Sequence, residues 1–262
     1  MTGSVSLEVN GVCAKVVLAH PGKLNAMSRA MWRALRQVFD EIQGNAMLRC
    51  VVVRGEGRDF CAGGDIAQYP EFRFSEPALR EFHESDVWGG LEAMLNCDVP
   101  IVAQIAGNCM GAGVEIASCC DIRIAEASAR FGAPIARLGF PMAPREAALL
   151  MREAGALTAR ELLLEAAVFN AAQMLERGFL SRVTPDGQAG HEADATAKRI
   201  AALAPQAARM NKRTLRALSP AVGTERGASA LEDWVRQAYA YADSAEHREG
   251  VHAFLEKRKA NF

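Results

Sequence analysis

Residues 101–121 read IVAQIAGNCMGAGVEIASCCD, and the fold turns on how this stretch is parsed. After Pro100, the run Ile101–Ile105 is short and apolar, as a buried strand requires. Gly107 ends it. Gly111, Ala112 and Gly113 are small enough for another chain or a ligand to approach their backbone closely. From Val114 to Cys120 the apolar residues are dense enough for a buried helix, which places a helix start near Ala112. The first N–H groups of a helix lack intrahelical acceptors and lie at the positive end of the macrodipole, so they attract anions or partly negative oxygens. Glu115, three residues on, shares a face with Ala112. Two readings of Glu115 stand side by side: an acid or base beside an oxyanion donor, or a first-turn carboxylate that complements the helix dipole.

The remaining composition narrows the class. The chain has 262 residues, half of them hydrophobic, enough for one large domain or a domain with an appendage. With 30 Lys and Arg against 31 Asp and Glu, the charge balance favours neither nucleic acid nor a membrane surface as partner. Seven cysteines are scattered without a CxxC pair, which excludes a disulfide framework and a zinc pattern. Reduced cytosolic thiols are the expectation, with no metal. No run reaches transmembrane length and no basic-then-apolar segment opens the chain, so a cytoplasmic protein is expected.

Working outward, residues 5–10 and 15–18 flank Gly11 as a β-hairpin. Ser28 is a good N-cap, and Met31, Leu35, Val38, Phe39 and Ile42 recur at helical spacing, predicting a helix over 28–43 ended by Gly44. CVVVR at 50–54 reads as a buried strand whose exit carries Gly63-Gly64. Residues 69–77 are irregular and aromatic and read as a flap over a pocket. A helix over 79–96 and a strand over 122–125 complete a strand–helix alternation that implies an α/β fold with parallel pairing. From Pro144 the pattern becomes helical, with segments at 145–153, 158–165, 171–176, 191–203, 205–218, 228–242 and 244–258. The division into a core and a helical region is drawn at 1–195 and 196–262.

Three phrases in this order are specific: PGKLNAM (21–27), FCAGGDI (60–66) and AGNCMGAGVEI (106–116). Together with REGVHAFLEKRK (248–259) they resemble the crotonase (enoyl-CoA hydratase/isomerase) superfamily over nearly the whole chain. The resemblance implies a spiral of ββα turns with a helical C-terminal trimerisation region. It also implies a homotrimer or dimer of trimers, and a coenzyme A thioester as substrate rather than a separate cofactor. It places two backbone donors, which stabilise a thioester enolate, on Gly64 and Ala112; one such donor is worth about 3–4 kcal/mol of barrier. Glu115 matches the first catalytic glutamate. Lys23 and Ala26 would follow the nucleotide end of coenzyme A, Ala62, Asp65, Ile66 and Ile135 would belong to the substrate and coenzyme A site, and Phe254 and Lys257 would complete it, as contacts of a neighbouring subunit in one version. Each lysine also reads as a solvated surface residue, Phe254 as packing, and Asp65 as a brace of its loop.

The pattern breaks at the second glutamate of the hydratases, where this chain has Ile135. The turn beyond it is altered too, to Pro141-Met142-Ala143-Pro144-Arg145-Glu146. Glu146 is expected to be an exposed carboxylate at a helix start, with a swing into the pocket as the alternative. Arg137 is expected at the surface, with a hold on a substrate carboxylate as the alternative. His83, in the helix that in this family borders the acyl pocket, is expected as a solvated or satisfied residue, with a catalytic part as the alternative, and Cys61 as a small buried hydrophobe. Three functions follow. The first is an enoyl-CoA hydratase-like enzyme with Glu115 as its single acid/base. The second is an isomerase or decarboxylase of the same fold, and the third a non-catalytic acyl-CoA binder.

Overall fold

The structure, a computed structural model, describes residues 2–218 and 244–262, without the side chains of 247 and 254. The expected helix at 228–242 lies outside the described residues. Strands β1 (Ser4–Asn10) and β2 (Cys13–Ala19) form the expected antiparallel hairpin. Strands β3 (Cys50–Gly55), β4 (Ile101–Ile105), β5 (Asn108–Met110), β6 (Ile122–Glu126), β7 (Arg130–Gly132), β8 (Val168–Asn170) and β9 (Arg182–Thr184) follow. One sheet has the order β1-β2-β3-β4-β6-β9 and is parallel from β2 onward; a second has the order β5-β7-β8.

Residues 50–53 are apolar on both faces because both faces are covered, as in parallel sheets. Val51 and Val53 point into the main core with Ile101 and Ala103. Cys50 and Val52 point the other way, onto Val102, Ile124, Ala193 and Ala197. Helix α1 (Arg29–Gly44) covers the first face with Met31, Trp32, Leu35, Phe39 and Ile42, all buried. Burial of each such side chain contributes about 1.5–3 kcal/mol. Ser28 caps α1 by accepting the Met31 N–H at 3.2 Å. Helix α2 (Glu76–Glu81), a π-helical turn (Phe82–Val87) and α3 (Trp88–Asn96) run end to end where the sequence predicts one helix over 79–96. The turn is anchored on α1: buried Asp86 accepts Arg29 Nε at 2.7 Å and Arg33 Nε at 2.6 Å.

Helices α4 (Ala112–Ser118), α5 (Pro144–Ala154), α6 (Ala156–Leu164), α7 (Ala171–Glu176), α8 (Ala189–Ala201), α9 (Pro205–Leu218) and α10 (Ala245–Leu255) complete the described chain. The part expected to be wholly helical therefore contains two strands, β8 and β9. Each has three residues, too few to show an alternating pattern, and their pairing partners are β7 and β6. The division expected between residues 195 and 196 falls inside α8, whose Ala193 and Ala197 pack on the sheet. Helix α9 is tied to the core through Asp98, which accepts Arg213 Nε at 2.7 Å and an Arg216 terminal nitrogen at 2.7 Å.

Candidate active site

Strands β3 and β4 lie side by side in parallel, and their exits stay in step. The Phe60 N–H donates to Ala106 O at 2.8 Å, Cys61 N–H to Asn108 O at 2.9 Å, and Met110 N–H to Cys61 O at 2.9 Å. Cys61 and Cys109 are thus paired in parallel. Three residues further on come Gly64 in one segment and Ala112 in the other, so register alone sets the two amides side by side. Met27 N–H donates to Gly63 O at 2.8 Å and Asp65 N–H to Met27 O at 2.9 Å, which leaves the Gly64 amide on the side away from Met27. Ala112 opens α4, where its N–H has no intrahelical acceptor. Among the described residues neither the Gly64 nor the Ala112 amide has a hydrogen-bond acceptor. The route requires glycine at Gly63 (φ +115°) and Gly111 (φ +47°), a region that side chains with a Cβ rarely enter.

Both amides border a cavity of about 370 Å³. Ala62, Ile66, Ile135 and Glu115 line it as well. Glu115 is 7% exposed, and no basic side chain or hydrogen-bond donor meets its carboxyl among the described residues. Burial first, and the neighbouring Glu146 carboxylate second, push its pKa well above the usual carboxylate range. That shift favours the protonated form of a carboxyl that shares its cavity with the Gly64 and Ala112 amides.

Glu146 departs from expectation. It is 3% exposed, lines the same cavity, and meets the Nδ1 edge of His83 at 2.9 Å through Oε1. Helix α5 begins at Pro144 with no side-chain cap; Pro144 and Arg145 are exposed, and Glu146 is the first-turn residue that turns to the cavity. His83 also lines the cavity rather than facing solvent, because the π-helical turn carries it there. No local pattern reveals this pair, since its members stand 63 residues apart. Tyr69 and Arg73, from the segment expected as a flap over a pocket, form part of the wall together with Phe140, which residue patterns did not single out. The Arg73 guanidinium lies 3.4 Å from the centre of the Phe140 ring and 4.6 Å from that of Tyr69. Tyr69 packs against Gly64, and burial raises its hydroxyl to about 12.

The other expected residues lie elsewhere. Lys23 Nζ reaches both carboxylate oxygens of buried Asp65, at 2.8 and 2.7 Å, so Asp65 braces the loop of the first amide through a salt bridge rather than lining the cavity. Ala26 is buried, and its carbonyl meets His20 Nδ1 at 2.6 Å. Lys257 is exposed beyond α10. The Phe254 side chain lies outside the described residues. Arg137 is exposed at the cavity edge and donates to Ala166 O at 3.2 Å. Cys61 is fully buried, and burial raises its thiol to about 12, which removes it as a nucleophile. Among the described residues no three His, Cys, Asp or Glu side chains stand close enough to hold a metal ion.

Fold and cavity together define an α/β enzyme with a buried acid beside unpartnered amides at strand exits. The family model described as enoyl-CoA hydratase/isomerase matches residues 8–262, and the chain belongs to that family. It is 30% identical to the short-chain-enoyl-CoA hydratase of Clostridium acetobutylicum, over 98% of this chain and 96% of that one. It is also 30% identical to the crotonyl-CoA hydratase of Syntrophomonas wolfei, over 99% and 97%. The crystal structure of an enoyl-CoA hydratase/carnithine racemase from Magnetospirillum magneticum superposes with a TM-score of 0.92 at 33% identity, covering 100% of this chain and 96% of that one. Among the described residues no helix is long and apolar enough to cross a membrane.

Proposed function

We propose that this enzyme hydrates a 2-enoyl-CoA thioester. The Gly64 and Ala112 amides hold the thioester oxygen as it becomes an enolate oxygen, and Glu115 delivers the proton to C2. The observation that carries this reading is the convergence on one cavity of two amides without acceptors among the described residues and a buried carboxyl whose burial favours its protonated form. Amides fixed by strand register need no reorganisation as charge develops, and each supplies about 3–4 kcal/mol of stabilisation. The relatives named as hydratases support the substrate class.

Crotonyl-CoA is the probe. Purified protein is expected to convert it to the 3-hydroxyacyl thioester, and Glu115→Gln to lose that activity. Equal rates for the two proteins would sink the reading.

Ile135, apolar and lining the cavity, favours a second reading: isomerisation of a 3-enoyl-CoA, in which one carboxyl moves one proton. Conversion of 3-enoyl-CoA to 2-enoyl-CoA with no hydration would select it. The C-terminal helices, with Lys257 and Phe254, are proposed to build the trimer and to complete the coenzyme A site of a neighbouring subunit. Sedimentation of the intact protein tests the assembly, with a monomer as the contrary result.

A further inference from the structure

The hydratase reading leaves one task without a side chain. Addition of water to C3 needs a group to take the water's proton, and Ile135 cannot. The acidic side chains lining the cavity are Glu115 and Glu146. Glu115 borders the Ala112 amide from α4; Glu146 comes from α5. A carboxylate in the first turn of a helix normally sits in water, where its complement to the dipole needs no burial. Glu146 is instead 3% exposed, and His83 is its hydrogen-bond partner. Only Oε1 is engaged; among the described residues Oε2 has no hydrogen-bond partner. His83 is itself held firmly. It sits in a π-helical turn, a local distortion frequent at functional sites. That turn is clamped through Asp86 to Arg29 and Arg33, and Phe82 next to it packs on Phe72 with ring centres 4.4 Å apart. Among the described residues the other charged or titratable groups lining the cavity are Glu115, Tyr69, Arg73 and Arg137, and none forms an ion pair with Glu146.

We propose that Glu146, oriented by His83, is the group that accepts the proton of the attacking water, in the place of the side chain that Ile135 does not provide. This rests on the hydratase reading. The oxygen of water bonds to C3 while its proton passes to Glu146. The C2=C3 electron pair shifts to give the enolate, its negative charge on the thioester oxygen at the Gly64 and Ala112 amides. Protonated Glu115 then gives its proton to C2, the enolate electrons form the new C–H bond, and the thioester carbonyl is restored. The product is the 3-hydroxyacyl thioester. Return of the proton from Glu146 to Glu115 through solvent closes the cycle. His83 is a positioning residue, since it acts through Glu146.

Two readouts separate this inference from the reading beneath it. One is hydration of crotonyl-CoA. The other is exchange of the C2 proton of butyryl-CoA in D₂O, which needs Glu115 and the amides but no attacking water. Glu146→Gln is expected to lower kcat for hydration about 10²–10⁴-fold, with KM nearly unchanged and exchange retained. Glu115→Gln is expected to lose both. His83→Leu is expected to lower hydration, and His83→Asn, whose amide nitrogen can replace Nδ1, to restore most of it. Hydration by Glu146→Gln at the wild-type rate would overturn the proposal and leave the hydratase reading standing. Exchange without hydration in the wild type would overturn it while keeping the enolate site. Failure of the wild type in both assays would overturn both. Should Glu146→Gln fail to fold, equal hydration rates for His83→Leu and His83→Asn would decide against the proposal.

Discussion

Two buried carboxyl groups of this molecule are treated in opposite ways. Asp98, under helix α9, is 3% exposed and surrounded by donors: Arg213, Arg216 and Gln43. Burial alone would raise its pKa, but those hydrogen bonds outweigh it and hold the group at about 2. Glu115 is 7% exposed and meets no cation among the described residues, and burial and the Glu146 carboxylate push it well up. Similar burial thus leaves the charged form favoured in one region and the protonated form favoured in the other. The carboxyl that ties α9 to the core is surrounded by cations, whereas Glu115 meets none among the described residues and faces a cavity.

The comparison breaks if the two groups can be exchanged in effect. Glu115→Gln is expected to lower kcat on crotonyl-CoA about 10²–10⁴-fold, whereas Asp98→Asn leaves kcat unchanged in steady-state assays. Ala112→Pro removes one amide and is expected to lower kcat about 10²–10³-fold. The melting temperature should move little, because proline suits the first position of a helix. Asp98→Asn is expected to lower stability in urea unfolding by about 1.5–3 kcal/mol, as two arginines lose a charged acceptor.

The pH dependence of melting sharpens the contrast, because the two signs are opposite. For Asp98 the folded pKa is depressed, so its contribution is present above the unfolded value of about 3.9 and fades as pH falls toward about 2. For Glu115 the folded pKa is raised, so its contribution is full below the unfolded value of about 4.3 and is lost as pH rises. Asp98→Asn should therefore flatten the acid limb of the curve. The gap between Glu115→Gln and wild type should open in favour of the variant as pH climbs from about 4. The smallest effect is expected at the Ser28 cap, where Ser28→Ala costs about 1 kcal/mol and leaves kcat alone.

The same contrast separates what the sequence revealed from what it hid. The amide wall is written locally. Glycines at 63, 64, 111 and 113 mark two strand exits, and a fixed register brings Gly64 and Ala112 together with Glu115 at one cavity. The hairpin, α1 with its Ser28 cap, and the strands at 50–55 and 101–105 were legible for the same reason: their apolar periodicity is long enough to read. Glu146 was misread because a carboxylate after a proline at a helix start looks alike whether it faces water or a cavity, and only His83, far off in the chain, distinguishes them. Strands β8 and β9 were missed because three residues carry no period. Asp65 and Lys23 were read as possible ligand contacts, and the salt bridge between them depends on a loop crossing that spacing does not encode.

Whether the two amides polarise a thioester can be read directly from the carbonyl stretch of a bound, ¹³C=O-labelled butyryl-CoA. The wild-type protein is expected to shift that band to lower frequency, and Ala112→Pro to return most of the shift. A bound thioester that keeps its free frequency in the wild type would contradict the central role of Gly64 and Ala112.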